Sequence, residues 1–194
     1  MEMEMRAWPS CRLEIRESGD GPSRIVGRAV PYGELSVDLG GWREVIVAGA
    51  FGIEGDIRSL WQHDSALVLG RTAAGTMMLS ADERGVHTDI TPPNTTWAQD
   101  AMVSLKRGDV SSFSFGFVVE EDNWVVTGKE VVRQVLRGQL LEVSPVTFPA
   151  YPQTSAQVRD HAAALRGQPA QPEIKSDADQ RVRDRQRIAI RERE

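Results

Sequence analysis

The sequence predicts a mainly β domain with helical additions, and three observations lead there. Short β-branched and aromatic runs recur between Gly, Pro and Asp turns as far as about Thr154. Over that stretch the dominant hydrophobic period is two. One segment stands out with the apolar spacing of an amphipathic helix: Trp97, Ala98, Ala101, Met102 and Leu105.

The strands follow in order. Leu13 and Ile15 alternate with charged residues, and Ile25 to Val30 form a strand after the Asp20-Gly21-Pro22 turn. Met77 to Ser80 and Val86 to Ile90 flank Asp82-Glu83-Arg84-Gly85 as a hairpin. Trp124 to Val126 and Val131 to Leu136 flank Thr127-Gly128-Lys129 as a second one. Leu140 to Val146 make a last strand closed by Pro145 and Pro149, neither of which can donate to a ladder. For the helix, Thr96 with Gln99 gives a capping-box signature, and Gly108 stands where a C-terminal glycine belongs.

Composition divides the chain. Residues 1–9 are expected to be disordered, 10–154 to form the folded domain, and 155–194 to be a flexible or helical tail. After Thr154 the aromatic residues Phe, Trp and Tyr vanish and Ala, Gln, Arg, Asp and Glu dominate, with too few apolar residues for a core. The tail has nine Lys/Arg against seven Asp/Glu, and the remainder 14 against 21. Ala156 to Arg166 and Arg181 to Glu194 could form helices, marginal when isolated.

The same composition narrows function. With 194 residues, 40% hydrophobic and 26% charged, the chain can bury a real core. A net charge of -5 speaks against coating nucleic acid, and no specific nucleic-acid partner is expected. No apolar run reaches the roughly 18 residues of a membrane span. Cys11 is the sole cysteine, which excludes an internal disulfide framework and a cysteine-rich zinc site. Met1-Glu2-Met3-Glu4-Met5 lacks the layout of a signal peptide, so the protein is expected to stay in the cell that makes it.

Three residues could do chemistry. In Val110 to Val118, Phe113, Phe115 and Phe117 share one strand face, and Ser112, Ser114 and Gly116 share the other. Burying each Phe is worth roughly 1.5–3 kcal/mol, which fixes the register and holds Ser114 outward. A half-buried strand with small polar residues facing solvent is the commoner use of that pattern. A serine nucleophile needs a base, usually His. His161 lies in the tail and His87 on a hairpin strand, whereas His63 ends an apolar run before a bend. A lone His is nonetheless more often structural. Glu142 alternates within Leu140 to Ser144; it either needs a partner such as an imidazolium or sits in water on an edge strand.

Taken together these segments resemble the prohead protease family of tailed phages, related to the herpesvirus assembly protease. The resemblance runs from about Gly27 to Pro152 through ordered blocks. These are Glu44-Val45-Ile46 with Gly49-Ala50-Phe51, Trp61-Gln62-His63-Asp64, Leu69-Gly70-Arg71-Thr72 and Asp82-Glu83-Arg84-Gly85-Val86. Gly108-Asp109-Val110 then precedes Ser114-Phe115-Gly116-Phe117, and Leu141-Glu142-Val143-Ser144 precedes Pro149-Ala150-Tyr151-Pro152. Gln62 and Phe113 are conservative departures from the Asn and Met often found there.

The resemblance implies a partly closed β-barrel-like domain of the herpesvirus-protease type and a serine endopeptidase. His63 would be its base, Ser114 its nucleophile and Glu142, less firmly, the group that orients the base. Ser112 is the nearest rival nucleophile, and Asp64 ranks below Glu142. No metal or organic cofactor is implied. The implied substrates are scaffold, the scaffolding segment of the major capsid protein, and the protease itself. The implied place is the assembling prohead in the bacterial host cytoplasm, with a homo-oligomer possible. Two other classes stand beside this one: a non-catalytic assembly factor of the same fold, and a metal hydrolase using His63, Asp64 and His87, whose spacing makes a poor zinc signature.

Overall fold

The computed structural model describes residues 2–19, 21–149 and 156–166 and is 51% strand. Its strands are β1 (Glu4–Arg6), β2 (Leu13–Arg16), β3 (Arg24–Pro31), β4 (Arg43–Ile46), β5 (Phe51–Gly52) and β6 (Arg58–Trp61). They continue with β7 (Asp64–Arg71), β8 (Met77–Asp82), β9 (Gly85–Ile90), β10 (Ser112–Thr127) and β11 (Glu130–Val146). Helix α1 spans Thr96–Arg107 and α2 spans Ala156–Leu165. The mainly β expectation is therefore met.

A seven-stranded sheet, curled into a half-barrel, is built on β11. β10 pairs antiparallel along one edge of β11, from Ser112↔Val146 to Thr127↔Glu130. Along its other edge β4, β5 and β6 follow one another, all parallel to it. β1 closes one side by pairing with β10, and β7 the other by pairing with β6. A four-stranded sheet in the order β2-β3-β9-β8 completes the domain. Ile25, Val30, Val86 and Ile90 from that sheet share one core with Phe113, Phe115, Phe117, Val143 and, from α1, Met102 and Leu105. The three phenylalanines are fully buried, with Phe115 stacked on Trp8 at 5.5 Å between ring centroids. Such aromatic contacts add about 0.5–1.5 kcal/mol each beyond area burial.

Several expectations need correction. Residues 1–9 were expected to be disordered, yet Glu4–Arg6 form β1. The Val110 to Val118 strand and the Trp124 to Val126 strand are one continuous β10, and β11 likewise absorbs two expected strands. Register shifts at Gly116/Phe117 and around Glu121 break the alternation, so period two alone divides what the ladder joins. β11 also passes through Pro145, whose carbonyl accepts the backbone N–H of Gln62. α1 buries Ala98, Ala101, Met102 and Leu105 as expected, with Trp97 partly buried. Its cap is Thr95 with no side-chain bond, so the Thr96–Gln99 capping box does not form. Gly108 ends the helix at φ 81°, a left-handed conformation that glycine adopts without steric cost.

His161 is held after all. α2 packs Ala162 into a second core with Leu39, Trp42, Val126 and Val131, and the His161 ring lies edge-on to Trp124 at 5.1 Å. Asp20, the stretch 150–155 with its Ala150-Tyr151-Pro152 block and Thr154 boundary, and the tail from 167 onward lie outside the described residues.

Between these cores lies a buried ionic network. Arg6 donates to Glu44 Oε1 at 2.9 Å and to Glu4 Oε2 at 2.6 Å. Arg133 donates to Glu4 Oε1 at 2.9 Å, to Glu44 Oε2 at 3.2 Å and to Asp122 at 2.6 Å. Arg6, Arg133 and Glu44 are each buried, and Trp42 and Trp124 face the two guanidinium groups. Removing one member of such a set strands an opposite charge. Arg133→Ala is expected to cost about 3–5 kcal/mol in urea unfolding, because Glu4 and Glu44 would then share Arg6. An unchanged midpoint would mean that water already reaches these carboxylates.

Candidate active site

The site begins with a turn. β6 and β7 are joined by Gln62 and His63 alone, with φ values of 56° and 64°. Two positive φ values in a two-residue loop are what a type I′ turn requires. For residues with a Cβ this conformation costs roughly 1–2 kcal/mol each. The loop is tied down in return. Gln62 donates its backbone N–H to Pro145 O at 3.1 Å and its side-chain amide to Thr147 Oγ1 at 2.8 Å. Its side-chain oxygen accepts the Thr147 N–H at 3.0 Å. The turn thereby leans back over the end of β11, and the His63 ring is carried to Glu142.

His63 Nδ1 and Glu142 Oε1 are 2.5 Å apart, with side chains 32% and 9% exposed. The carboxylate fixes the tautomer: Nδ1 carries the hydrogen, which leaves Nε2 with its lone pair. Ser144 adds a second donor to the same oxygen, also at 2.5 Å, and its own Oγ accepts the Leu60 N–H at 2.9 Å. Glu142 is thus held from two sides. Its near-burial costs little here because hydrogen bonds meet it inside the protein.

β10 supplies the serine. In the β10–β11 register Ser114 is opposite Ser144, and Gly116 is opposite Glu142. Directly opposed residues share a sheet face, so Ser114 lies on the face of the His63–Glu142 pair. Ser114 does not face solvent as expected: it is 1% exposed and donates to the carbonyl of Arg6 at 3.1 Å. No hydrogen bond joins it to His63 in this arrangement. Gly116 accommodates β1 closely, since a Cβ there would lie 2.8 Å from Met5 Sδ.

The remaining candidates are placed elsewhere. Ser112 is partly exposed at the start of β10, opposite Val146. Asp64 is exposed and accepts the Ala66 N–H within its own strand. His87 lies in the four-stranded sheet beside Asp82, so His63, Asp64 and His87 do not converge. Cys11 is wholly buried, and burial pushes its thiol up to about 12, which makes it a poor nucleophile. Sequence reasoning missed Ser144 and the Gln62 clamp. Ser144 could have been found two residues from Glu142 on the same face. Gln62 could not, because Thr147 is distant in sequence.

A strand serine on the same sheet face as a tethered imidazole–carboxylate pair supplies the residue types of a serine hydrolase. Residues 11–167 match the family model of the caudovirus prohead serine proteases, and the chain belongs to that family. Membership makes it a serine protease of capsid maturation at the level of the family, working inside the assembling prohead. No curated protein and no solved structure matches the chain.

Ser144→Ala should destabilise the fold by about 1–3 kcal/mol in urea unfolding, since it leaves the Leu60 N–H buried without an acceptor. Ser112→Ala, in a partly exposed position, should stay within about 0.5 kcal/mol of the parent. Equal effects would remove the special role of the Ser144 hydroxyl.

Proposed function

We propose that Ser114 is the nucleophile, His63 the general base and Glu142 its orienting carboxylate in a serine endopeptidase. The observation that carries this reading is the His63–Glu142 contact on the sheet face that also bears Ser114. His63 Nε2 takes the Ser114 proton as Oγ attacks a peptide carbonyl, and later returns it to the leaving amine. Glu142 holds the ring and offsets the charge of the imidazolium. The substrates are capsid proteins, in particular scaffold or the scaffolding segment of the major capsid protein, and the enzyme's own tail. The herpesvirus-protease kinship belongs to the same reading, and the curled, mainly β sheet supports it.

The burial of Ser114 favours one other reading, a capsid-assembly factor that keeps the fold and binds without cutting. Co-expression with the capsid protein separates the two. Shortening of the capsid protein that disappears with Ser114→Ala supports the protease, and an uncut capsid protein that co-purifies with the chain supports the factor.

His63→Ala should be as inactive as Ser114→Ala, and the double variant no worse than either, because groups acting as a unit are non-additive. A further loss of about tenfold in the double variant would show that they act separately. Ser112→Ala should keep most of the activity; a dead Ser112 variant beside an active Ser114 one would reassign the nucleophile. Intact-mass spectrometry tests self-processing. The parent chain should shorten from its C-terminal end on storage while Ser114→Ala stays full length, and equal trimming of both would point to another protease.

A further inference from the structure

We propose that the outer edge of β10 is the site where the extended peptide substrate pairs, and that β1 occupies it in the resting state and withholds Ser114. The proposal rests on the serine-protease reading above. β10 has two edges beside Ser114. One is taken by β11 along its whole length. The other is taken by β1 through Glu4↔Phe117, Met5↔Gly116 and Arg6↔Phe115, and at Ser112 and Phe113 by Cys11 and Arg12, which leaves the stretch facing β1 as the part that can be vacated. An extended peptide that reaches Ser114 by strand addition therefore has the β1 position open to it, with main-chain hydrogen bonds for affinity.

The contact between β1 and the serine is substrate-like but unproductive. Ser114 Oγ stands 3.1 Å from a backbone carbonyl, that of Arg6, yet it faces the oxygen and spends its proton there. Attack requires the carbonyl carbon at about 3–3.5 Å and a proton path to the base. The Met5 side chain lies over Gly116 on the same face, with Glu142 Cβ on the other side of that hollow. At 1% exposure Ser114 can meet no substrate until β1 moves.

Two further features suit an occupant that can leave. The family match begins at residue 11, so β1 lies outside it whereas His63, Ser114 and Glu142 lie within. The ionic anchors are also balanced. Glu4 and Arg6 depart together as one negative and one positive charge, and Glu44 and Arg133 remain paired at 3.2 Å. Opening then strands no single buried charge, the costly outcome for such networks.

The test is the rate at which a fluorophosphonate labels Ser114. Oγ attacks phosphorus, fluoride leaves, and the hydroxyl proton passes to His63. A chain lacking residues 1–6 should label at least about tenfold faster than the full chain, because reactivity scales with the population of the open state. The full-length Glu4→Gln variant, which weakens the ion pair tying β1 to Arg133 of β11 while Arg133 keeps Glu44 and Asp122, should label faster as well and serves if the deletion fails to fold by circular dichroism. Ser114→Ala is the blank. Equal labelling of the full chain and a folded open variant overturns the occluding role of β1 while leaving Ser114 as nucleophile. Absence of labelling in every form overturns the protease reading itself.

Discussion

The register between β10 and β11 is the constraint on which the rest depends. It sets Ser114 against Ser144 and Gly116 against Glu142, and so gathers the polar side chains onto one face. A slip of one residue would send Ser114 into the core and Phe115 onto the polar face. Three fully buried phenylalanines oppose that slip, each worth roughly 1.5–3 kcal/mol, a penalty that few polar contacts could offset. The apolar side of the strand thus positions the polar side.

β11 carries a second duty. Its far edge receives β4, β5 and β6 in turn, and β6 ends in the loop that bears His63. The imidazole, its carboxylate partner and the serine opposite are therefore all referred to one strand. The left-handed backbone at Gln62 and His63 stores some strain, and the ties to Pro145, Thr147 and Glu142 hold it in place. Strain that surrounding structure over-determines is a common way to fix a reacting side chain.

Much of this was legible in the sequence, for reasons that can be named. The Phe-Ser alternation, the face of α1 and its terminal Gly108 are local patterns written within one element. Glu142 was legible because a carboxylate within an apolar strand demands a partner. What escaped depends on distance along the chain. Arg133 meets Glu4 across 129 residues, and β1 has only three residues with which to signal a strand. Gln62-His63 hides its turn because neither residue is the Asn or Gly that usually announces one. The length of β10 and β11 was obscured by the bulges that let them curl.

The two hairpin ends of this sheet differ in what they let evolution or an engineer insert. At the Gly128-Lys129 end, where Gly128 takes φ 62°, the long ladder simply turns around at a distance from His63, and added residues would extend a loop. At the Gln62-His63 end there is no spare residue: any insertion would lengthen the arm that carries the imidazole and break its triangulation by Pro145, Thr147 and Glu142. Length variation among related chains should accumulate at the first and be purged at the second, even where the residues themselves change freely.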